Sequence, residues 1–507
     1  MYKTLFGAIL AVLLLGTAVP GISSDDLFDR KSYALHLGKG IKHLEAGRHN
    51  AAIREFEEAA AQNPDAEAYY YLGYVYYLKA QRRGDRESQQ KSQENFALSH
   101  ELDPEFKPRR PLPGIPAALA AQGVGDEKKQ QPSDIAEPSK SIQEVSSSIA
   151  IPPDVFFRAN QQRTGDFNAN RITTVPSIKW KYKTEGSYLS APIAFRDMVY
   201  IGDEIYIYAI NSETGTLRWK YPVSGAGTPA VVNRTLYFGG GDNSLFAMNA
   251  FIGTVQWKIK AGTVQPSSPA TSGGLIFFGS GSFAGGNGYG SLIAVDAATG
   301  EERWKFKTQN SVTTPPAVYD GTVYFGYGNS GILLSGGQVF AVNAADGTKK
   351  WETAHYLPLT GAPVVTADAV YFGINANSTG ALIAVSRSTG QELWKLMVEG
   401  AAHTPAFSDG VVFFGTSENM AGTSYAVAAA TGKILWRYHT DKWFDTPPAV
   451  AGDIVYFTNN DGVLHALDVK TGRELWQFKA ERKYPVAPLP SGKTIYFGSG
   501  GILYALE

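Results

Sequence analysis

The chain of 507 residues has no cysteine. That absence excludes disulfide staples, thiolate nucleophiles, cysteine-held metals, a Cys-x-x-Cys-His haem attachment and a lipid anchor on a leader cysteine. An excess of either charge is also missing. Lys plus Arg number 46 against 47 Asp plus Glu, a balance of −1, so the electrostatic footprint of nucleic-acid or anionic-membrane binding is not there. Long apolar runs are missing too, except at the start, where Leu5 to Leu15 follows Lys3. That run is too short to cross a bilayer comfortably and reads as a signal peptide over 1–23, with small residues at Gly16 to Ala18 and Gly21 to Ser24 for cleavage. An uncleaved N-terminal anchor is the alternative; both readings export the chain to the periplasm or cell envelope.

What the chain does have is length for two or three domains, 54 glycines, and 27 Tyr with 26 Phe, the composition of a turn-rich β protein with aromatic strands. Residues 31–106 differ and carry helical periodicity. Gly40, Ala52, Phe56, Ala59 and Pro64, then Tyr69, Leu72, Gly73, Tyr76, Phe96 and Pro104, fall at positions resembling two tetratricopeptide (TPR) repeats. Small residues let paired helices approach, and Ser92 and Ser99 replace the alanines of the second copy. The resemblance implies a docking groove for a partner peptide or helix, the alternative being a short helical spacer. Tyr69, Tyr70, Tyr71, Tyr74, Tyr76 and Tyr77 are too many for one buried helix face, which predicts that some line a surface, unless they pack against the second repeat. Residues 107–150, rich in Pro, Ala, Gln, Ser and charge without periodicity, read as a disordered linker.

From 151 to the end one pattern recurs. Trp180, Trp219, Trp257, Trp304, Trp351, Trp394, Trp436 and Trp476 are spaced by 38 to 47 residues, the length of a four-stranded blade. In phase with them, Pro192, Pro229, Pro269, Pro316, Pro363, Pro405, Pro448 and Pro488 open the inner strands, where no ladder bond is lost. Turns such as AINSETGTLRW and LDVKTGRELW lead into the tryptophans, with Gly supplying positive φ and Asn or Asp a cap. The first tryptophan has no such turn, and the last blade stops at LYALE without a fourth strand. The predicted fold is therefore mainly β: an eight-bladed propeller with four-stranded blades, its ring closed by the strand around Ile178 to Lys183, behind a small all-α N-terminal domain.

The motif A-x-[DN]-x-x-T-G-x-x-x-W resembles that of the pyrroloquinoline-quinone (PQQ) repeat propellers, over about 350 residues. That family includes quinoprotein alcohol and glucose dehydrogenases and the non-catalytic propeller that assembles outer-membrane barrels. The dehydrogenase resemblance implies PQQ stacked on a tryptophan under a ring of two adjacent cysteines, a calcium ion and an aspartate base; this chain has no cysteine to form that ring. The assembly-factor resemblance is read as the closer one, although the lipid anchor is missing and a helical module is added.

The resulting expectation is an exported, non-catalytic scaffold of the bacterial envelope. It is monomeric, needs no cofactor, and contacts other envelope proteins through the TPR groove and the propeller rim. The alternatives are a PQQ- and calcium-dependent dehydrogenase and a propeller binding glycan or cell-wall polymer. For the enzyme, Trp443, the one tryptophan out of phase, offers a flat floor, Asp445 a base, and Lys442 and Lys483 partners for ligand carboxylates. His355, His403 and His439 come from three successive blades and are read as unpaired rim residues rather than metal ligands, beside Glu418 and Asn459 to Asp461. The glycine-rich loops FGSGSFAGGNGYGS and FGYGNSGILLSGGQ have no helix behind them and read as long turns.

Overall fold

The computed structural model describes residues 30–62 and 66–83, scattered positions from 88 to 99, and 157–507 except 263–266, 282–289, 328–335, 355, 357, 377–378 and 419. The expected signal peptide and linker, together with Pro64, Pro104, His355 and most of both glycine-rich loops, lie outside the described residues. The chain divides into two compact units, Met1–Ser147 and Ser148–Glu507.

In the first unit, α1 (Arg30–Glu45), α2 (His49–Gln62) and α3 (Ala66–Arg83) follow one another. Gly40 lies against the Phe56 ring and Gly73 against Phe96, so close that a Cβ at either would collide. Ser92 donates to the Gly73 carbonyl at 2.8 Å and Ser99 to that of Ala66 at 2.7 Å, which is how two hydroxyls serve in a helix seam. The tyrosine cluster is divided between the core and its margin. Tyr71, Tyr74 and Tyr76 are buried and Tyr69, Tyr70 and Tyr77 half-buried, with Tyr71 stacked on Phe56 at 5.2 Å and Tyr70 edge-on to Phe96 at 5.4 Å. The rings of Tyr70 and Tyr71 fill gaps between helices, while Tyr69, Tyr70 and Tyr77 keep part of their surface open.

The second unit is an eight-bladed propeller of antiparallel sheets. In blade 1, β2 (Ile193–Phe195), β3 (Met198–Gly202), β4 (Tyr206–Asn211) and β5 (Leu217–Pro222) run from the channel outward. Blades 2 to 7 repeat this order, blade 6 adding a two-residue strand, Ala401–Ala402. Each inner strand begins directly after its predicted proline. Blade 8 takes three strands from the C-terminal end and its outer strand, β1 (Ile178–Lys183), from the start of the propeller, Ile178 pairing with Leu506 and Lys183 with Ile502. The third strands are buried along their length, whereas the outer ones alternate, so the core lies between blades and the rim faces water.

The tryptophans weld one blade to the next. Each sits on an outer strand opposite an alanine of the third strand, as Trp219 opposite Ala209 and Trp476 opposite Ala466. Its indole N–H donates to the carbonyl at the start of the next blade's outer turn: Trp180 to Ser212 (2.9 Å), Trp304 to Ala344 (3.0 Å), Trp436 to Val469 (2.7 Å). The turn glycine of that blade lies over the ring. A Cβ at Gly215 would stand 2.7 Å from Trp180, and Gly215 has φ 70°, so both the close approach and the left-handed backbone require glycine. Asn211 Oδ1 caps the turn by accepting from Glu213 and Thr214 N–H. Blade 8 has no such turn, and Trp476 donates instead to the Ile172 carbonyl at 2.6 Å.

Ile172 belongs to a segment that the repeat pattern does not announce. Residues 157–166 run along the inner strands of the channel, and 167–172 then turn outward between blades 7 and 8. Val318, Val365, Phe407 and Val450, on the inner strands of blades 4 to 7, donate N–H to the carbonyls of Gln161, Gln162, Thr164 and Gly165 at 2.7 to 3.0 Å. Asn170 then donates to Gly492 in blade 8. This belt satisfies inner-edge donors that a sheet would otherwise leave open.

Candidate functional site

One face of the disc carries the loops that enter each blade and the turns between second and third strands. The loop from Ile434–Thr440 to Ala449–Ala451 brings Lys442, Trp443 and Asp445 to this face, between blades 6 and 7. The Trp443 backbone is fixed by Asn460, whose Oδ1 accepts its N–H at 3.2 Å and whose own N–H donates to the Trp443 carbonyl at 2.9 Å. The Trp443 indole nitrogen is buried without a hydrogen-bond partner. The Asp445 side chain is open to solvent on one side, yet the surrounding loops desolvate it enough to raise its pKa.

The two lysines have acids of their own. Lys442 Nζ meets its neighbour Asp441 at 3.2 Å. Lys483 Nζ lies 2.8 Å from Asp461 Oδ1, while Lys479 holds the other oxygen at 2.5 Å, and these bonds keep the Asp461 carboxyl down at about 2. Asn460 joins the loops further, accepting the Tyr484 N–H at 3.5 Å. Trp443, Asp461 and Lys483 are thus gathered by one asparagine, with Lys442 turned aside to Asp441. His403 and His439 do not converge. His403 Nε2 is 2.8 Å from Ser417 Oγ, and His439 Nδ1 is 3.1 Å from Thr423 Oγ1. Among the described residues no three His, Asp or Glu side chains are grouped to hold a metal ion.

Burial lowers the His403 pKa to about 4, so the ring is neutral in the folded state. An unfolded chain takes up that proton near 6.5, hence the stabilisation is complete above that pH and is lost as pH falls from 6.5 toward 4, by up to the order of 3 kcal/mol. In urea titrations at pH 7 and 4.5, His403→Gln is expected to lose less stability on acidification than the parent. An equal loss would place the acid sensitivity elsewhere.

Three residues with unusual environments went unread in the sequence. His465, buried in blade 7, holds Glu474 at 2.7 Å and Asn459 at 3.0 Å, and Tyr438 of blade 6 donates to the same Glu474 at 2.9 Å, a polar bolt across the seam. Arg163 of the belt is fully buried and donates to the carbonyls of Phe157 (2.8 Å), Pro269 (2.7 Å) and Pro316 (3.0 Å). Arg158 is 4% exposed and none of its three guanidinium nitrogens has a partner. The one signal available was the stretch RANQQRTGDFNAN, polar and aperiodic yet lying beyond the linker's composition.

The same face exposes apolar side chains. Tyr188 and Tyr484, on the loops entering blades 1 and 8, are each 60% exposed and lie 5.6 Å apart, with Ile205 exposed on the adjoining turn of blade 1.

A family model described as outer membrane protein assembly factor BamB matches residues 203–282, 261–403 and 378–507. Solved structures share the fold. The quinohemoprotein alcohol dehydrogenase ADHIIG of Pseudomonas putida HK5 is 16% identical over 68% of this chain and 75% of its own, with a TM-score of 0.55. The corresponding enzyme of Comamonas testosteroni is 15% identical over 70% and 81%, at 0.56. BamB from Moraxella catarrhalis is 17% identical over 66% and 100%, at 0.52. These values do not place the chain nearer to the assembly factor than to the dehydrogenases, which corrects the closer resemblance expected from the sequence. A search of curated proteins finds no match.

Proposed function

Because the chain belongs to the PQQ-type propeller family described as outer membrane protein assembly factor BamB, we propose that it is an exported scaffold of the cell envelope that binds other proteins through the loop-bearing face of its propeller. The family relation alone does not choose between scaffold and oxidoreductase, since the fold is common to both. The observation that carries the scaffold reading is the exposed pair Tyr188 and Tyr484 with Ile205 beside them, on the loops of blades 8 and 1. Tyrosines with an apolar body and a polar tip are enriched where proteins dock, and exposed apolar side chains gathered on one face mark such surfaces. The helical unit, read as a TPR-like pair, supplies a second contact on a tether and raises effective concentration.

A photo-crosslinker placed at position 484 in the full chain, in envelope extract, is expected to give discrete protein adducts that disappear when Tyr188→Ser is added. The double variant Tyr188→Ser, Tyr484→Ser should leave stability within about 0.5 kcal/mol, as for exposed positions. No adducts from position 484 would remove the basis for this reading.

The second reading is PQQ-dependent oxidation of an alcohol or sugar. It is favoured by Trp443 and Asp445 standing on one loop, a flat ring with an unpartnered N–H beside a carboxyl of raised pKa. When bound, the quinone would accept the substrate's electrons, Trp443 would offer it a surface and Asp445 would hold the substrate proton. The described residues do not fit its calcium: no acidic cluster is assembled, and both lysines already meet aspartates. Dye reduction by purified protein given PQQ, calcium and an alcohol or sugar panel, abolished by Asp445→Ala, would establish this reading in place of the first.

A further inference from the structure

We propose that the propeller channel holds one small, weakly hydrated monovalent anion of the halide class against the guanidinium of Arg158. Arg158 begins the belt in a left-handed conformation, φ 65°, as do Ala159 at 73° and Arg163 at 61°. Three such non-glycine residues within six positions form a strained loop that must be held by its surroundings. The loop brings both arginine side chains into the low-dielectric channel. Arg163 is satisfied there by a cage of carbonyls. Arg158 is not: its Nε and both Nη atoms are buried without a partner.

A guanidinium stays protonated in proteins, and a buried charge without a counter-charge is strongly unfavourable. Among the described residues no carboxylate compensates it. Burial acts most strongly on Arg158, followed by the like charge of Arg163, and no acid is among the groups that do so. Asp166, the acid of the belt, bonds Ser408 instead.

Arg158 lines a narrow pocket at the end of the channel where the inner strands begin. Phe157, Phe167, Pro192, Pro448, Pro488 and Leu489 form its apolar walls. The space takes about one water-sized sphere. Apart from Arg158, the lining side chains carry no donors to replace the hydration of sulfate, phosphate or fluoride, and the space leaves no room for an organic acid. A chloride or bromide ion is somewhat larger than a water, so the side chains about Arg158 must give slightly to admit it; it loses its hydration more readily than those anions and supplies the missing charge.

The test uses the full chain. Melting temperature is measured in sodium chloride, bromide and gluconate at matched ionic strength, for the parent, Arg158→Gln and Arg158→Lys. The parent is expected to melt higher in halide than in gluconate, with the difference growing with halide concentration. Arg158→Gln should abolish the difference and Arg158→Lys retain it. Crystals of the parent soaked in bromide should show an anomalous peak in contact with the Arg158 guanidinium. Equal melting in halide and gluconate, a difference that persists in Arg158→Gln, or a channel without the bromide peak would each overturn the proposal. Should Arg158→Gln fail to fold, the bromide peak in the parent decides alone.

Discussion

Trp476→Ala is expected to cost about 3–5 kcal/mol of stability, the range for removing a large buried aromatic. The ring is 4% exposed, lies 5.8 Å from Tyr456, and donates to the Ile172 carbonyl at 2.6 Å. Truncation leaves a void in the seam between blades 7 and 8 and deprives the belt of its anchor in the same step. Trp476→Phe separates the two effects, keeping most of the packing and losing the hydrogen bond, at roughly 1 kcal/mol. Trp304→Ala is the internal comparison. Trp304 makes the same kind of bond, to Ala344, but is only partly buried and touches no part of the ring closure. It should fall at the lower end of the range. Denaturant midpoints at fixed m-value would check the series. A loss under about 1 kcal/mol for Trp476→Ala would contradict the welding role.

A chain beginning at Thr184 is expected to yield no soluble propeller. It lacks β1, so the Ile502–Leu506 strand becomes an open edge, and it lacks the belt, so inner-strand donors of blades 4 to 7 face an empty channel. Removing only Met1 to Ser147 should leave the melting temperature unchanged, because the second unit begins at Ser148. A third variant distinguishes strand from belt. Since β1 runs antiparallel to Ile502–Leu506, residues 177–183 can follow Glu507 through a Thr-Gly turn copied from another blade. This permuted chain is expected to be soluble, with a closed sheet, yet to melt below the parent for want of the belt. Recovery to parental stability would mean that the belt contributes nothing to the ring. Size-exclusion profiles and thermal scans read all three outcomes.

The architecture was legible because it repeats. One Trp, one Pro and one turn Gly per blade are side-chain requirements imposed by packing, and eight copies make the period visible. Closure could be read from the two ends, LYALE lacking a partner strand and ITTVPSIKW lacking a turn. The belt was not legible, because its bonds are made by backbone to backbone across four blades and so place little demand on side-chain type. The rim residues were found as residues but not as partners. Lys483 is bound to Asp461, 22 positions earlier, and Lys442 to the adjacent Asp441, and sequence does not reveal which charges a folded loop has already spent on each other.

The closure also sets an order of events. Lys179 and Glu507, joined by a salt bridge at 2.9 Å, are 328 residues apart in the chain. The strand synthesised first among the blades is therefore placed last, and no ring exists until Ile502–Leu506 has emerged. Contacts of such long separation slow folding, because most of the chain must be ordered before they form. Through that interval the nascent propeller is an open arc with a bare sheet at one end, the period in which it is most prone to pair with the wrong chain.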